Sequence, residues 1–167
     1  MGVHTFIYGY IKEAWSGSRA NGYEEHWKRL RSNDRTLEGH NESILAALPE
    51  EDGWPPMTRH MFGWPPATER VITYKGRPFH FAASLKDVDF EVRDWLDKFE
   101  ALLRQMYWED AVVHVQTAYL GEHTFSWRPK PEWVTRLSSG MLEPITSWDF
   151  TSTMEAKDLE GLRANRA

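Results

Sequence analysis

Between residues 4 and 12 aromatic and β-branched positions alternate: Phe6, Tyr8 and Tyr10 point one way, and Thr5, Ile7 and Ile11 the other. A period of two predicts a strand, and two semi-apolar faces place that strand inside a sheet rather than at its edge. Residues 16–22 are small and polar and read as a loop. From 23 to 48 the apolar positions Tyr23, Trp27, Leu30, Leu37, Ile44 and Leu48 recur at helical spacing. Asp34 and Asn41 sit in that stripe, and Ser32-Asn33-Asp34 supplies a break with a fresh N-cap. Two consecutive helices are therefore expected, the second ending at Pro49, with His40 and Asn41 close to its packed face.

Gly53-Trp54-Pro55-Pro56 recurs as Gly63-Trp64-Pro65-Pro66, two rigid turns around a short strand expected at 59–62. Strands at 70–74 and 79–85 flank Lys75-Gly76-Arg77, a hairpin turn, with Pro78 opening the second arm. The strongest periodic signal lies at 89–108. Val92, Trp95, Leu96, Phe99, Leu102, Leu103 and Met106 form one stripe at 3,4 spacing. Asp87 or Asp89 is placed to cap this helix, and Asp94/Lys98 and Glu100/Arg104 are i,i+4 pairs on its outer side. A strand at 111–120 turns through Gly121-Glu122-His123 into another at 124–127, where Pro129 and Pro131 should end the pairing. Residues 131–150 keep Trp133, Leu137, Ile145 and Trp148, enough to wrap onto the body.

The order β, α, α, β, β, β, α, β, β with short connections implies an α+β two-layer sandwich. Its sheet is mostly antiparallel, of five to six strands, with helices on one face. The strand–helix–strand–strand–helix–strand subset matches a ferredoxin-like core. Residues 1–150 are read as a single domain. Residues 151–167, apolar only at Met154, Leu159 and Leu162, form a polar tail or a short docked helix. If helices cover one face, the other is left free for contact.

Composition narrows the chemistry. The 167 residues are 41% hydrophobic and 27% charged, which excludes global disorder. The absence of cysteine excludes disulfides, thiolate zinc, iron–sulfur clusters and a cysteine nucleophile. A formal charge of −5 with scattered basic residues argues against nucleic acid as a partner. No stretch is apolar enough for a membrane span and no signal-peptide pattern opens the chain, so a cytoplasmic location without membrane attachment is expected.

No Walker loop, dinucleotide fingerprint, nucleophile elbow or zinc-protease motif is present. The seven histidines are isolated in sequence, so neither a metal nor a cofactor is expected. Two strands nevertheless place His80 and His114 at mid-strand, with Gln116 on the face of His114. Together with Tyr8 and Tyr10 these residues could line a small-ligand site on the free sheet face. The plainer reading is of partly buried histidines bonded to their neighbours. Glu50-Glu51-Asp52 is the densest acidic run.

Aromatic content is the unusual figure: nine Trp, eight Phe and six Tyr. Trp27, Trp95 and Phe99 lie on helical apolar faces and read as packing. Trp54 and Trp64 sit in proline-rich turns and Trp127 near the end of a hairpin, where a ring is either a lid over the core or an exposed anchor. With Glu50, Glu51 and Asp52 they form the candidate partner-binding set.

In size, acidity and Trp-rich character the chain resembles immunity proteins of polymorphic toxin systems. The features nearest to a signature are the Tyr8-Gly9-Tyr10 strand, His40-Asn41 before Ile44-Leu45, and the helix carrying Trp95 and Trp108. That resemblance implies a non-enzymatic, cytosolic protein-binding module whose partner is another protein, a cationic toxin domain met by electrostatic steering. Two other readings stand beside it: an enzyme or small-ligand binder using the free sheet face, and a subunit of a homo-oligomer, such as a homodimer.

Overall fold

Strands β1 (His4–Glu13), β2 (Phe62–Gly63), β3 (Pro78–Lys86), β4 (Trp108–Thr117), β5 (Gly121–Pro129) and β6 (Trp148–Ser152) make one sheet. Their order is β2-β3-β1-β4-β5-β6, with every pair antiparallel. Helices α1 (Leu37–Ala46), α2 (Val92–Leu103) and α3 (Ala156–Ala164) complete the elements, with short 3-10 turns at Arg59–Met61 and Asp89–Glu91. This computed structural model describes residues 4–14, 37–66, 72, 76–133 and 145–164. The first expected helix lies outside the described residues, as does the strand expected at 70–74 apart from Ile72.

Read as β1-α1-β2-β3-α2-β4, the chain has spatial order β4-β1-β3-β2, the split β-α-β arrangement of a ferredoxin-like core. Strands β5 and β6 widen it beyond β4. As its alternation predicts, β1 is internal: Tyr8 pairs with Ala82 on one side and His114 on the other. The apolar half of each strand faces α2. Ile7, Ile11, Phe79, Phe81, Val113, Val115, Phe125 and Trp127 join Trp95, Leu96 and Phe99 in one core. Phe99 is the hub, its ring within 5.1–5.5 Å of the rings of Trp127, Phe81 and Trp95. Gly9 lies opposite Phe81, and a Cβ there would stand 2.0 Å from the Val112 carbonyl oxygen and 2.9 Å from the Phe81 ring. Its lack of a side chain lets the ring cross the central strand.

Several boundaries differ from the sequence expectation. The stripe at 89–108 continues through Met106, but α2 ends at Leu103 and Trp108 already belongs to β4. The Trp108 indole N–H donates to the Leu103 carbonyl (2.9 Å), closing the helix end from the next strand. Neither Asp87 nor Asp89 caps the helix. Asp87 takes φ 58°, tolerable for Asp, and links β3 to the 3-10 turn. Asp89 is buried, accepting from the Thr5 hydroxyl (2.6 Å) and the Tyr119 amide (2.8 Å). Residues 59–61 form a 3-10 turn and only Phe62–Gly63 pair as strand. The pairing of β5 with β4 stops at Trp127, as the prolines predict, but β5 itself runs on to Pro129, which pairs with Trp148 of β6, a strand absent from the sequence reading. The C-terminal helix is α3, with Met154, Leu159 and Leu162 in the core.

Candidate functional site

The described helices all pack on the Phe99 side of the sheet, and no described element covers the opposite face. This face presents Phe6, Tyr8 and Tyr10 of β1, His80 and Ser84 of β3, His114 and Gln116 of β4, and Thr124 and Ser126 of β5. The sequence-predicted ligand residues Tyr8, Tyr10, His80, His114 and Gln116 therefore share one surface. They do not converge to one point. Tyr8 stands between Phe6 (ring centroids 5.3 Å) and His114 (5.0 Å), and His114 Nδ1 lies 2.9 Å from the Thr124 hydroxyl. The Tyr10 hydroxyl instead donates to Asp110 (3.2 Å). Burial and the Asp110 carboxylate raise the Tyr10 pKa, against a smaller opposing effect of Arg128, so this phenol stays a donor. His80 leans away, its ring against Gly63 of β2. Gln116 is exposed opposite Phe6.

The surface is shallow. A depression at its end, between His4, Phe6, Ser84 and Gln116, is open, and His4 Nδ1 there lies 2.9 Å from the Ser84 hydroxyl. No group of three or more potential metal ligands occurs among the described residues. On the other side lies a groove of about 500 Å³ lined by Phe90, Leu120, His123, Met154, Lys157 and Leu162. None of these was a candidate site residue in the sequence, because the groove is built by elements remote in the chain.

The partner-binding set divides. Trp127, expected to be either a lid or an exposed anchor and placed in the partner-binding set, is fully buried and leaves that set. Its position in β5 turns it inward onto Phe99 and Phe150, and its indole N–H donates to Glu100 (3.0 Å). Trp64 is half-buried with its ring 5.7 Å from Phe79, which makes it a lid. Trp54 is different. At 54% exposure it is the one exposed tryptophan among the described residues, whereas Trp95, Trp108 and Trp127 have no exposed surface.

The loop that carries Trp54 is tightly held. Asp52 accepts from the amides of Gly53 (2.8 Å) and Met57 (3.0 Å) and from the Lys98 ammonium (2.7 Å). Lys98 also donates to the carbonyls of Gly53 and Pro55, both at 2.8 Å, using all three of its protons on the loop. Trp95 fixes the far side, its indole N–H donating to the Pro56 carbonyl (3.1 Å). Pro55 and Met57 are buried beneath. Burial alone would raise the Asp52 pKa, but the Lys98 and backbone hydrogen bonds together hold it below the usual carboxylate range. Asp52 is thus a structural acid. Glu50 pairs with Arg59, and Glu51 is exposed. The expected Asp94/Lys98 pairing is replaced by Lys98 with Asp52, a separation of 46 residues that no local spacing rule detects.

No family model matches the chain, and neither a curated protein nor a solved structure is detectably similar to it.

Proposed function

We propose that this chain is a non-enzymatic protein-binding module of the immunity-protein kind, which neutralises a basic toxin domain docked around Trp54. The observation that carries the reading is the rigid presentation of that indole. A large ring half in solvent, on a loop anchored by Asp52, Lys98 and Trp95, binds with little further loss of conformational entropy. Charge supports a basic partner. The molecule carries −5 overall and the exposed Glu51 precedes the ring, whereas Glu50 is paired with Arg59 and Asp97 of α2 with Arg93. Net negative charge accelerates encounter with a cationic domain. In this role the protein acts in the cytosol. Among the described residues no helix is long and apolar enough to cross a membrane.

The test is made on the product of a toxin gene adjacent to this one, co-expressed and co-purified with the chain. Trp54→Ala should weaken the complex by at least about 2 kcal/mol, some thirtyfold, mostly through faster dissociation. Its thermal midpoint should stay within about two degrees of the parent, as for a surface substitution. Raised ionic strength should slow association. A neighbouring toxin that does not bind, or a complex indifferent to Trp54→Ala, overturns the reading.

A further inference from the structure

The groove of about 500 Å³ is built by three parts of the chain: Phe90 in the 3-10 turn before α2, Leu120 and His123 where β4 turns into β5, and Met154 with one side of α3. Its volume is that of a small-molecule site. Leu120, Met154 and Leu162 supply apolar surface, the last two as members of the core. At the rim Phe90, 58% exposed, stacks on Tyr119, 69% exposed, with ring centroids 6.2 Å apart and planes 18° from parallel. Both rings are braced from within. Buried Asp89, the neighbour of Phe90, accepts from the Tyr119 amide (2.8 Å) and from the Thr5 hydroxyl (2.6 Å). Exposed rings held in place beside a cavity are suited to receive a flat apolar body.

Gly161 is an independent sign that this space is kept open. It lies inside α3, where glycine destabilises a helix relative to alanine. The fold gives no steric reason for it, because a Cβ added there meets no heavy atom within 4 Å among the described residues. At Gly9, by contrast, the Cβ would strike the Val112 carbonyl. What the missing side chain of Gly161 leaves free is the groove it lines.

Charge decides the class of occupant. Lys157 and Asp158 both line the groove. Lys157 is already paired with Glu155 (3.1 Å), and His123 Nε2 donates to the Leu120 carbonyl (2.5 Å). The Asp158 carboxylate has no ion-pair or hydrogen-bond partner among the described residues. A lone carboxylate that shares a groove with an exposed aromatic ring favours an ammonium, through Coulomb attraction and cation–π contact. We infer that the groove binds a small organic cation. Its flat aromatic body lies against Phe90 and Met154 in the space beside Gly161, and its ammonium meets Asp158.

Tryptamine is the probe, and indole-3-propionate, with the same ring and spacer but a carboxylate end, is its control. Isothermal titration calorimetry of the full chain should give a Kd of about 0.1 mM for tryptamine and binding about tenfold weaker or worse for indole-3-propionate. Asp158→Asn should weaken tryptamine about tenfold and remove most of the preference over the carboxylate. Gly161→Leu should abolish binding by filling the space. Gly161→Ala separates occupancy from folding. It should weaken tryptamine several-fold yet raise the thermal midpoint by about two to four degrees, since alanine is the better helix former. If Gly161→Leu fails to fold, Asp158→Asn and Gly161→Ala decide. The inference is overturned by the absence of binding up to about 10 mM tryptamine, by indole-3-propionate binding as tightly, or by tryptamine binding that any of these substitutions leaves unchanged. None of the residues concerned belongs to the Trp54 loop, so this inference and the toxin-binding reading fail separately.

Discussion

Glu13, at the end of the central strand, is almost wholly buried and holds three parts of the molecule together. It accepts from Arg77 Nε (3.1 Å) and from the Asn41 side chain (3.0 Å), and Arg77 also reaches Glu42 on α1 and the Pro65 carbonyl. Asn41 in turn clasps the backbone of Tyr107, donating to its carbonyl and accepting from its amide, both at 2.9 Å. Burial alone would lower the Arg77 pKa, yet the Glu13 and Glu42 carboxylates together raise it, so the guanidinium stays charged. Arg77→Met should destabilise by about 3–5 kcal/mol in urea unfolding, because it strands the buried Glu13 charge. Adding Glu13→Leu should recover much of that loss, since the charge is then removed as well. Asp52 sets an acid limit. Its folded pKa lies below the unfolded value, so its contribution is full above the ordinary carboxylate range and disappears as pH falls through the folded value. The urea midpoint should therefore drop between about pH 5 and pH 2, and less steeply in Asp52→Asn. In the sequence Asn41 was visible as a polar break in an apolar stripe. Its partners were not, because Glu13 and Tyr107 are distant and no periodicity links them.

Helix α2 was the most legible element, since its stripe needs no outside information to be recognised. Its end was not legible. Met106 continues the helical period, and Trp108 is equally suited to a helix or a strand; pairing of Trp108 with Glu13 in the sheet decides. Truncating the hub, Phe99→Ala, should cost about 3–5 kcal/mol in chemical unfolding. Gly9→Ala is a subtler test of the central strand. The added methyl meets backbone rather than a yielding side chain, and a loss of about 1–3 kcal/mol is expected from thermal unfolding. Strand β6 escaped the sequence reading because Trp148-Asp-Phe-Thr-Ser is brief and does not alternate cleanly. Phe150 packs inward on Phe125 and Trp127, although neighbouring residues are polar. Pro129 does end the pairing with β4, but as the last residue of β5 it still pairs with Trp148, since a strand end tolerates the missing donor.

At the scale of the molecule, the succession of strands and helices was enough to anticipate a two-layer α+β sandwich, because short connections and antiparallel pairing leave few alternatives. The tryptophan count was a poorer guide to surface. Trp95, Trp108 and Trp127 fill the core and each spends its indole N–H on an internal acceptor, which leaves Trp54 as the informative ring. Which rings are internal follows from strand phase and register, and those emerge only when the sheet is assembled. The position of β1 carries a consequence for biosynthesis. It precedes the other five strands of the described sheet, yet its neighbours are β3 and β4, and its Thr5 and Tyr10 hydroxyls reach Asp89 and Asp110. A growing polypeptide halted before Thr117 leaves a tyrosine-rich segment with an unpaired edge outside the ribosome. Until those partners emerge the segment offers its edge to other strands, and non-local pairing of this kind is slow.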